Sequence, residues 1–205
     1  MSISCEELSS LPVLFEKTLG VDALVGLQVV LAYGWKKLGR VGASKILKMS
    51  ERRVRRIIDS LRKYGFVKNA GSPGLLEIVL SAFQTDLIFK GEGLYLVAYK
   101  PFSKAVLDLV KSRIVEFRDY LVIGCRSPAD LLMIGISSDN DGGVEFPRVP
   151  SKYSQPLMKT IASGEVKNSL IIAWRTYEPI RSDALVLYAL SRLCSSGWQE
   201  KQLYS

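Results

Sequence analysis

The sequence predicts an α+β protein, because its first half is patterned for helices and its second half mixes strand and helix patterns. Before residue 65, apolar residues recur at the three- and four-residue spacing of helices, and short apolar runs bounded by turn residues follow. Gly91 and Gly93 interrupt the pattern between the halves. At 205 residues the chain is long enough for two small domains, and we expect residues 1–90 and 91–205 to form them, with a linker near Lys90.

Two helices are predicted at the N-terminus. The first spans Ser4 to Leu19 and is ended by Gly20, and the second spans about Ala23 to Leu38 with Asp22 as its N-cap. The second helix is apolar on most sides. Such a helix lies either at the centre of its domain or at an interface with a partner chain.

A second pair of helices is predicted between Gly39 and Tyr64. The short one fits Ala43 to Lys48, with Ile46 and Leu47 turned inward, and a turn at Met49 and Ser50 follows. The longer one runs from Glu51 to Tyr64, with Ser50 as its N-cap and Gly65 after its end. Its apolar residues have the spacing of one buried stripe: Val54, Ile57, Ile58 and Leu61.

Two strands are predicted after this helix, at Phe66 to Asn69 and Leu75 to Leu80, joined by turn residues 70–74. A core helix, then helix, turn, helix and hairpin is the order of a winged helix-turn-helix. We therefore predict this module for residues 1–90.

The longer helix carries an unusual charge. Residues 35–68 contain twelve Lys or Arg but only two acidic residues, Glu51 and Asp59. A solvated helix face usually mixes the signs, because like charges four residues apart repel. Arg52 and Arg56 fall opposite the apolar stripe, and arginine can pair with guanine O6 and N7 or with phosphate. The candidate DNA-binding residues are Lys45, Lys48, Ser50, Arg52, Arg53, Arg55, Arg56, Lys63, Lys68 and Ser72.

Composition excludes several kinds of site. The chain has a net charge of +8 and no histidine, which removes Ser-His and Cys-His nucleophiles and the usual zinc sets. No P-loop or paired-carboxylate signature is present, so we expect no enzyme, no metal and no cofactor. The three cysteines, Cys5, Cys125 and Cys194, are far apart, and we expect free, buried thiols in a reducing compartment. Without a secretory signal or a membrane-spanning apolar run, we expect a cytoplasmic protein with no membrane partner.

The second half is predicted to be an α+β sandwich with helices on one face of an antiparallel sheet. The predicted strands are Leu94–Tyr99, Leu131–Ser137, Gly143–Phe146 and Ser169–Arg175. The predicted helices are a stretch from Ser103 to about Ile123 that is broken near Arg113, then Gln155–Ser163 and Pro179–Cys194. Residues 114–125 could equally form a strand.

Three short motifs in this half carry a resemblance to a known family: Arg118-Asp119, Val144-Glu145-Phe146-Pro147 and Ile171-Ile172-Ala173-Trp174. Over most of its length the chain resembles archaeal winged-helix proteins with a C-terminal domain of unknown function. The resemblance implies a regulator of transcription whose second domain is similar to the GAD domain of some tRNA-charging enzymes. It brings no catalytic residues.

These features favour a DNA-binding transcriptional regulator, with double-stranded DNA as partner and a homodimer that reads two half-sites. The alternative is an RNA-binding or translation-linked adaptor acting through the GAD-like domain. A further cluster lies where a strand passes into a helix N-terminus and would suit a small anionic effector: Trp174, Arg175, Tyr177 and Arg181. Core packing explains the two aromatic residues, and surface charge the two arginines, equally well.

Overall fold

The computed structural model describes residues 2–36, 38–64, 82–125, 127–137, 143–161 and 166–203. Within these ranges the protein is α+β, with eight α-helices and one antiparallel sheet of five strands. The fold class predicted from the sequence is confirmed at this level. The two strands predicted for the wing, Phe66–Asn69 and Leu75–Leu80, lie outside the described residues.

The sheet is built around its most buried strand. The strands are β1 (Gln84–Gly91), β2 (Leu94–Lys100), β3 (Leu131–Ser137), β4 (Val144–Glu145) and β5 (Ser169–Trp174). They are arranged in the order β1-β2-β5-β3-β4, and every neighbouring pair is antiparallel. All six residues of β5 are buried, as its unbroken apolar pattern predicts for a central strand.

Four helices precede the sheet. They are α1 (Cys5–Pro12), extended by a π-helical segment Val13–Thr18, α2 (Ala23–Val30), extended by a π-helical segment Leu31–Trp35, α3 (Gly39–Leu47) and α4 (Glu51–Lys63). The predicted N-caps are confirmed: the Asp22 carboxylate accepts from the Val25 amide at 3.0 Å and the Ser50 hydroxyl from the Arg53 amide at 3.3 Å. Gly20 separates the first two helices with a φ of 61°, which glycine adopts without strain.

Four helices belong to the second half: α5 (Lys104–Ser112), α6 (Ile114–Gly124), α7 (Ser151–Thr160) and α8 (Pro179–Leu203). The predicted helix after Ser103 is broken at Arg113, as expected, and residues 114–124 are helical rather than extended. The amphipathic α5 begins at Ser103, whose hydroxyl accepts from the Val106 amide.

Both faces of the sheet are covered, which corrects the expectation of helices on one face. Side chains alternate along a strand, so Val97 and Tyr99 of β2 join a large apolar cluster with α1, α2, α5, α6 and α8. Leu96 and Ala98 face the other way and join Leu157 of α7 in a second cluster. The sheet is therefore a central layer.

The predicted linker near Lys90 is wrong at that position. Lys90 lies in β1, which pairs with β2 through a tight hairpin at Glu92 and Gly93. The backbone of Ile3 also bridges to Phe102, and the large apolar cluster includes residues from both halves. The division into residues 1–90 and 91–205 remains a prediction, and one shared core crosses it.

The apolar character of α2 has an explanation within the chain. The helix contacts α3, α4 and α8, and Leu27, Val29 and Val30 are buried there. A partner chain is not needed to cover it. Ile46 of α3, predicted to turn inward, is 55% exposed instead, whereas Ala43 is fully buried. Among the described residues, no helix is long and apolar enough to cross a membrane.

A disulfide joins Cys5 at the start of α1 to Cys194 in α8, with 5.3 Å between the two Cα atoms. The expectation of three free thiols is therefore wrong, and only Cys125 is free. The two helices also contact each other through an ion pair between Glu16 and Arg192, and through the Ser195 hydroxyl, which donates to the Ser9 carbonyl at 3.3 Å. The disulfide therefore cross-links two helices, α1 and α8, that also pack against each other through apolar side chains.

We expect Cys5→Ser to lower the free energy of unfolding by roughly 2–5 kcal/mol, because a cross-link across 189 residues removes much of the conformational freedom of the unfolded chain. Denaturant unfolding without reductant measures this loss. Reductant should bring the wild type to the level of the variant and leave the variant unchanged. Cys125→Ser is the control and should remain close to wild type. Equal midpoints for the wild type and Cys5→Ser would contradict the expectation.

Candidate functional site

The apolar stripe of α4 anchors the helix in the core. Its four residues are all buried, as the sequence predicts: Val54, Ile57, Ile58 and Leu61. They pack in the large apolar cluster beside α2 and α3. Burial of four aliphatic side chains fixes the rotation of α4 about its axis, and the opposite face is therefore held in solvent.

That opposite face, together with the end of α3, is the basic face of the protein. We define it by seven exposed side chains: Lys45, Lys48, Arg52, Arg53, Arg55, Arg56 and Lys63. Ser50, the remaining described candidate, is also exposed and serves as the N-cap. Lys68 and Ser72 lie outside the described residues. The structure thus brings the described candidates onto one continuous stretch of helix, turn and helix.

The carboxylates on α4 leave most of this face uncompensated. Arg55 pairs with Glu51 at 3.1 Å, one helical turn away, and both side chains are about half exposed. Exposed pairs of this kind contribute little to stability, so a phosphate can replace the carboxylate. The guanidinium groups of Arg52, Arg53 and Arg56 make no hydrogen bond or ion pair with any described residue.

One arginine of α4 has a different position that sequence reasoning did not identify. Arg62 is half-buried, donates to the Tyr33 hydroxyl at 2.7 Å and stacks over the Tyr33 ring. Arg62 is four residues after Ile58 and therefore lies beside the apolar stripe of α4. This spacing distinguishes Arg62 from the exposed arginines in the sequence. This contact joins α4 to the π-helical segment that follows α2.

The four residues predicted to hold an anion are only partly brought together, since Trp174 and Arg181 line a small cavity of about 30 Å³. Trp174 is buried in the core, where its indole N–H donates to the Tyr99 hydroxyl at 3.1 Å. Arg175 is exposed. Tyr177 and Arg181 line a common cavity at the start of α8. The predicted cluster is therefore divided, with Arg181 lining both cavities, Trp174 lining the small one, Tyr177 the large one and Arg175 neither.

The cavity has a volume of about 610 Å³ and lies between the N-terminal helices and the start of α8. Its lining residues come from α2 and the segment after it, from α3, and from residues 177–181: Gln28, Lys36, Leu38, Ile46, Leu47, Tyr177, Glu178, Pro179, Ile180 and Arg181. Most of this wall is apolar, with a few charged groups, as in small-molecule sites. Its location between distant segments is why sequence reasoning did not find it.

A buried carboxylate lies next to this cavity. Asp183 of α8 is fully buried, and its Oδ1 accepts a hydrogen bond from the Tyr177 hydroxyl at 2.9 Å. Its Oδ2 has no hydrogen-bond partner among the described residues. Burial raises the pKa of Asp183 to about 7, against the opposing effects of the Tyr177 hydroxyl, the Lys36 charge and the Tyr99 hydroxyl. An aspartate, Asp183, at the start of the apolar run after Ser182 is the sequence feature that could have indicated this buried carboxylate.

The same burial acts on the neighbouring phenols. It raises the pKa of Tyr99, and the nearby Asp183 charge raises it further. The pKa of Tyr177 is raised by burial and then by Asp183 in the same way. Both hydroxyls therefore keep their protons and act as donors near the carboxylate. Within the described residues, no group of three or more Cys, Asp or Glu side chains could hold a metal ion.

We expect the free energy of unfolding to fall as the pH rises from 5 to 8, in part because of Asp183. The pKa of Asp183 in the folded protein lies above its ordinary value of 3.8. Its contribution to the free energy of unfolding is therefore complete below pH 3.8 and is lost as the pH rises through about 7. Asp183→Asn should reduce the fall between pH 5 and 8 by roughly 1–3 kcal/mol. Denaturant unfolding at both pH values measures it. The exposed Asp108→Asn is the control, and an unchanged fall in Asp183→Asn would contradict the assignment.

Comparison with known proteins adds one distant likeness. No family model matches the chain, and no curated protein matches it. Among solved structures, the hypothetical protein PH0730 from Pyrococcus horikoshii OT3 is similar, at 19% sequence identity and a TM-score of 0.42. The alignment covers 87% of this chain and 92% of that chain. A likeness at this TM-score does not establish a shared fold or function.

Proposed function

We propose that this protein is a DNA-binding regulator of transcription that docks α4 in the major groove. In this proposal α2, α3 and α4 are the three helices of a winged helix-turn-helix, and the hairpin predicted for residues 66–80 is its wing. The second half would carry dimer contacts or a ligand site. A homodimer reading two half-sites is part of the proposal.

The observation that carries the proposal is the two-sided character of α4. One side is sealed in the core by four aliphatic residues, and the other presents Arg52, Arg53 and Arg56 without a carboxylate partner among the described residues. Unpaired arginines on a rigid helix repel one another, so this arrangement costs stability unless a polyanion neutralises it. Double-stranded DNA offers both that charge and a groove wide enough for a helix.

The positions on α4 suggest separate roles. Arg52 and Arg56 lie one turn apart, opposite the buried stripe, and would reach base edges, where a guanidinium can pair with guanine O6 and N7. Lys45 lies in α3 and Lys48 at its C-terminal end, and Arg53 and Arg55 flank the outer face of α4. These four would contact phosphates on either side of the groove.

RNA remains the alternative partner expected from the resemblance to GAD-like proteins. A-form RNA has a deep, narrow major groove that a helix cannot enter, so the exposed face of α4 fits duplex DNA better. Competition of a bound, labelled DNA duplex by unlabelled duplex DNA and by tRNA distinguishes the two. Displacement by tRNA at lower concentration than by duplex DNA would favour the adaptor.

We expect Arg56→Ala to weaken binding to a selected DNA site by about 1–3 kcal/mol and to relax the base preference at one position. Selection from a random duplex library, followed by fluorescence anisotropy, measures both effects. Arg118→Ala, which removes an exposed arginine from α6, is the matched control and should bind like the wild type. Unchanged affinity and unchanged base preference in Arg56→Ala would refute the major-groove role of α4.

We expect a plot of log K against log salt concentration for a random duplex to have a slope of roughly −4, from four phosphate contacts that each release about 0.9 counterion. Lys45→Ala should weaken binding to all sequences alike and make the slope less steep by about one. Arg118→Ala again serves as the control. A slope near zero, or one that Lys45→Ala leaves unchanged, would contradict the assignment of Lys45 to phosphate.

A further inference from the structure

The cavity at the start of α8 has the size and composition of a small-molecule site. Its volume of about 610 Å³ lies within the range of roughly 300–1,000 Å³ that is usual for such sites. Leu38, Ile46 and Ile180 provide apolar wall from three different segments of the chain. A ligand with an apolar body can therefore be enclosed from several sides, and its transfer from water would be favourable.

The charged groups of the lining select the ligand further. Among the described lining residues, Lys36 and Arg181 are cationic and Glu178 is anionic, and the Asp183 carboxylate lies behind Tyr177. A carboxylate on the ligand can pair with a cationic group of this lining, and a second negative charge would be repelled by Glu178. Arg181 presents the planar guanidinium that pairs with a carboxylate through two parallel hydrogen bonds.

We propose that this cavity binds a small amphipathic monocarboxylate, with its apolar body against Leu38, Ile46 and Ile180 and its carboxylate toward Arg181 and Lys36. The site differs from the anion cluster expected from the sequence, because Trp174 and Arg175 do not line it. It gains instead the apolar residues of α3, which lie far away in the chain.

The cavity lies close enough to the basic face for a bound ligand to affect it. Ile46 and Leu47 are at the end of α3, and Lys48 follows in the turn that leads to α4. A bound ligand would hold α3 against the start of α8 and so restrict the movement of Lys45 and Lys48 relative to α4. Modulation of DNA binding by the ligand is a consequence that rests on the proposed function, whereas ligand binding itself does not.

Isothermal titration calorimetry with the whole 205-residue chain tests the site. The probes are octanoate, 3-phenylpropionate and indole-3-acetate, with octanol and acetate as the neutral and the purely anionic comparisons. We expect at least one of the three carboxylates to bind with a Kd below 1 mM, and octanol and acetate to bind at least tenfold more weakly. Failure of all three carboxylates to bind at 10 mM overturns the proposal, as does equal binding of octanol and octanoate.

Two variants with matched controls place the ligand. Arg181→Gln should weaken carboxylate binding roughly tenfold or more, while Arg118→Gln leaves it unchanged. Ile46→Ser should weaken binding by a similar factor, while Val41→Ser on the same helix does not, since Val41 is 54% exposed, like Ile46 at 55%, but does not line the cavity. Because Ile46 is exposed, its replacement leaves the core intact. Unchanged binding in both Arg181→Gln and Ile46→Ser overturns the assignment of the cavity.

The same probes in the DNA anisotropy assay separate this proposal from the preceding one. Carboxylate binding in calorimetry by a protein that binds no DNA would support the site and refute only the regulator. DNA binding without carboxylate binding would refute the site and leave the regulator standing. A change of twofold or more in DNA affinity with saturating carboxylate, absent in Arg181→Gln, supports the coupling between them.

Discussion

The burial of α8 is the constraint on which the rest of the structure depends. This 25-residue helix contacts α1, α2, α5 and α6, and residues 184–187 are almost completely buried. A sheet buries its apolar face against a layer of helices, and α8 lies in that layer, where it contacts helices from both halves of the chain. Because α1 packs on α8 and the Cys5–Cys194 disulfide joins them, the beginning of the chain is tied to its last helix. The N-terminal helices therefore pack in a core to which the C-terminal half also contributes.

Polar groups inside this core follow from the same packing. Asp183 lies one residue before the most buried stretch of α8, so the carboxylate is carried into an apolar environment and meets the hydroxyl of Tyr177. Burying a carboxylate is costly when one oxygen has no partner among the described residues, and burial raises the pKa of Asp183 for the same reason. Such groups often mark functional positions, and this one lies directly behind a residue that lines the large cavity.

The basic face and the cavity are two consequences of how α3 and α4 pack. Because the stripe on α4 is buried against α2, Arg52, Arg53 and Arg56 on the opposite side point outward. Because α3 buries Ala43 but leaves Ile46 largely exposed, an apolar side chain remains at the edge of the cavity. The same pair of short helices thus presents cations on one side and an apolar wall on the other. This arrangement makes a connection between ligand and DNA physically reasonable, since both would act on the turn that joins the two helices.

The sequence by itself determined the α+β class, the buried stripe of α4, the N-caps at Asp22, Ser50 and Ser103, and the candidate cations that prove exposed. These features depend on hydrogen bonds and side-chain periodicity within a few residues, which a local pattern records. Only the tertiary structure decided the Cys5–Cys194 disulfide, the strand β1 at the expected linker, the covering of both sheet faces and the cavity between α3 and α8. Strand β1 pairs with its neighbour in the chain, β2, at the edge of the sheet. The disulfide, the covering of both faces and the cavity each join segments that are distant in the chain, and their meeting depends on the order of strands and the packing of α8, which no local spacing specifies.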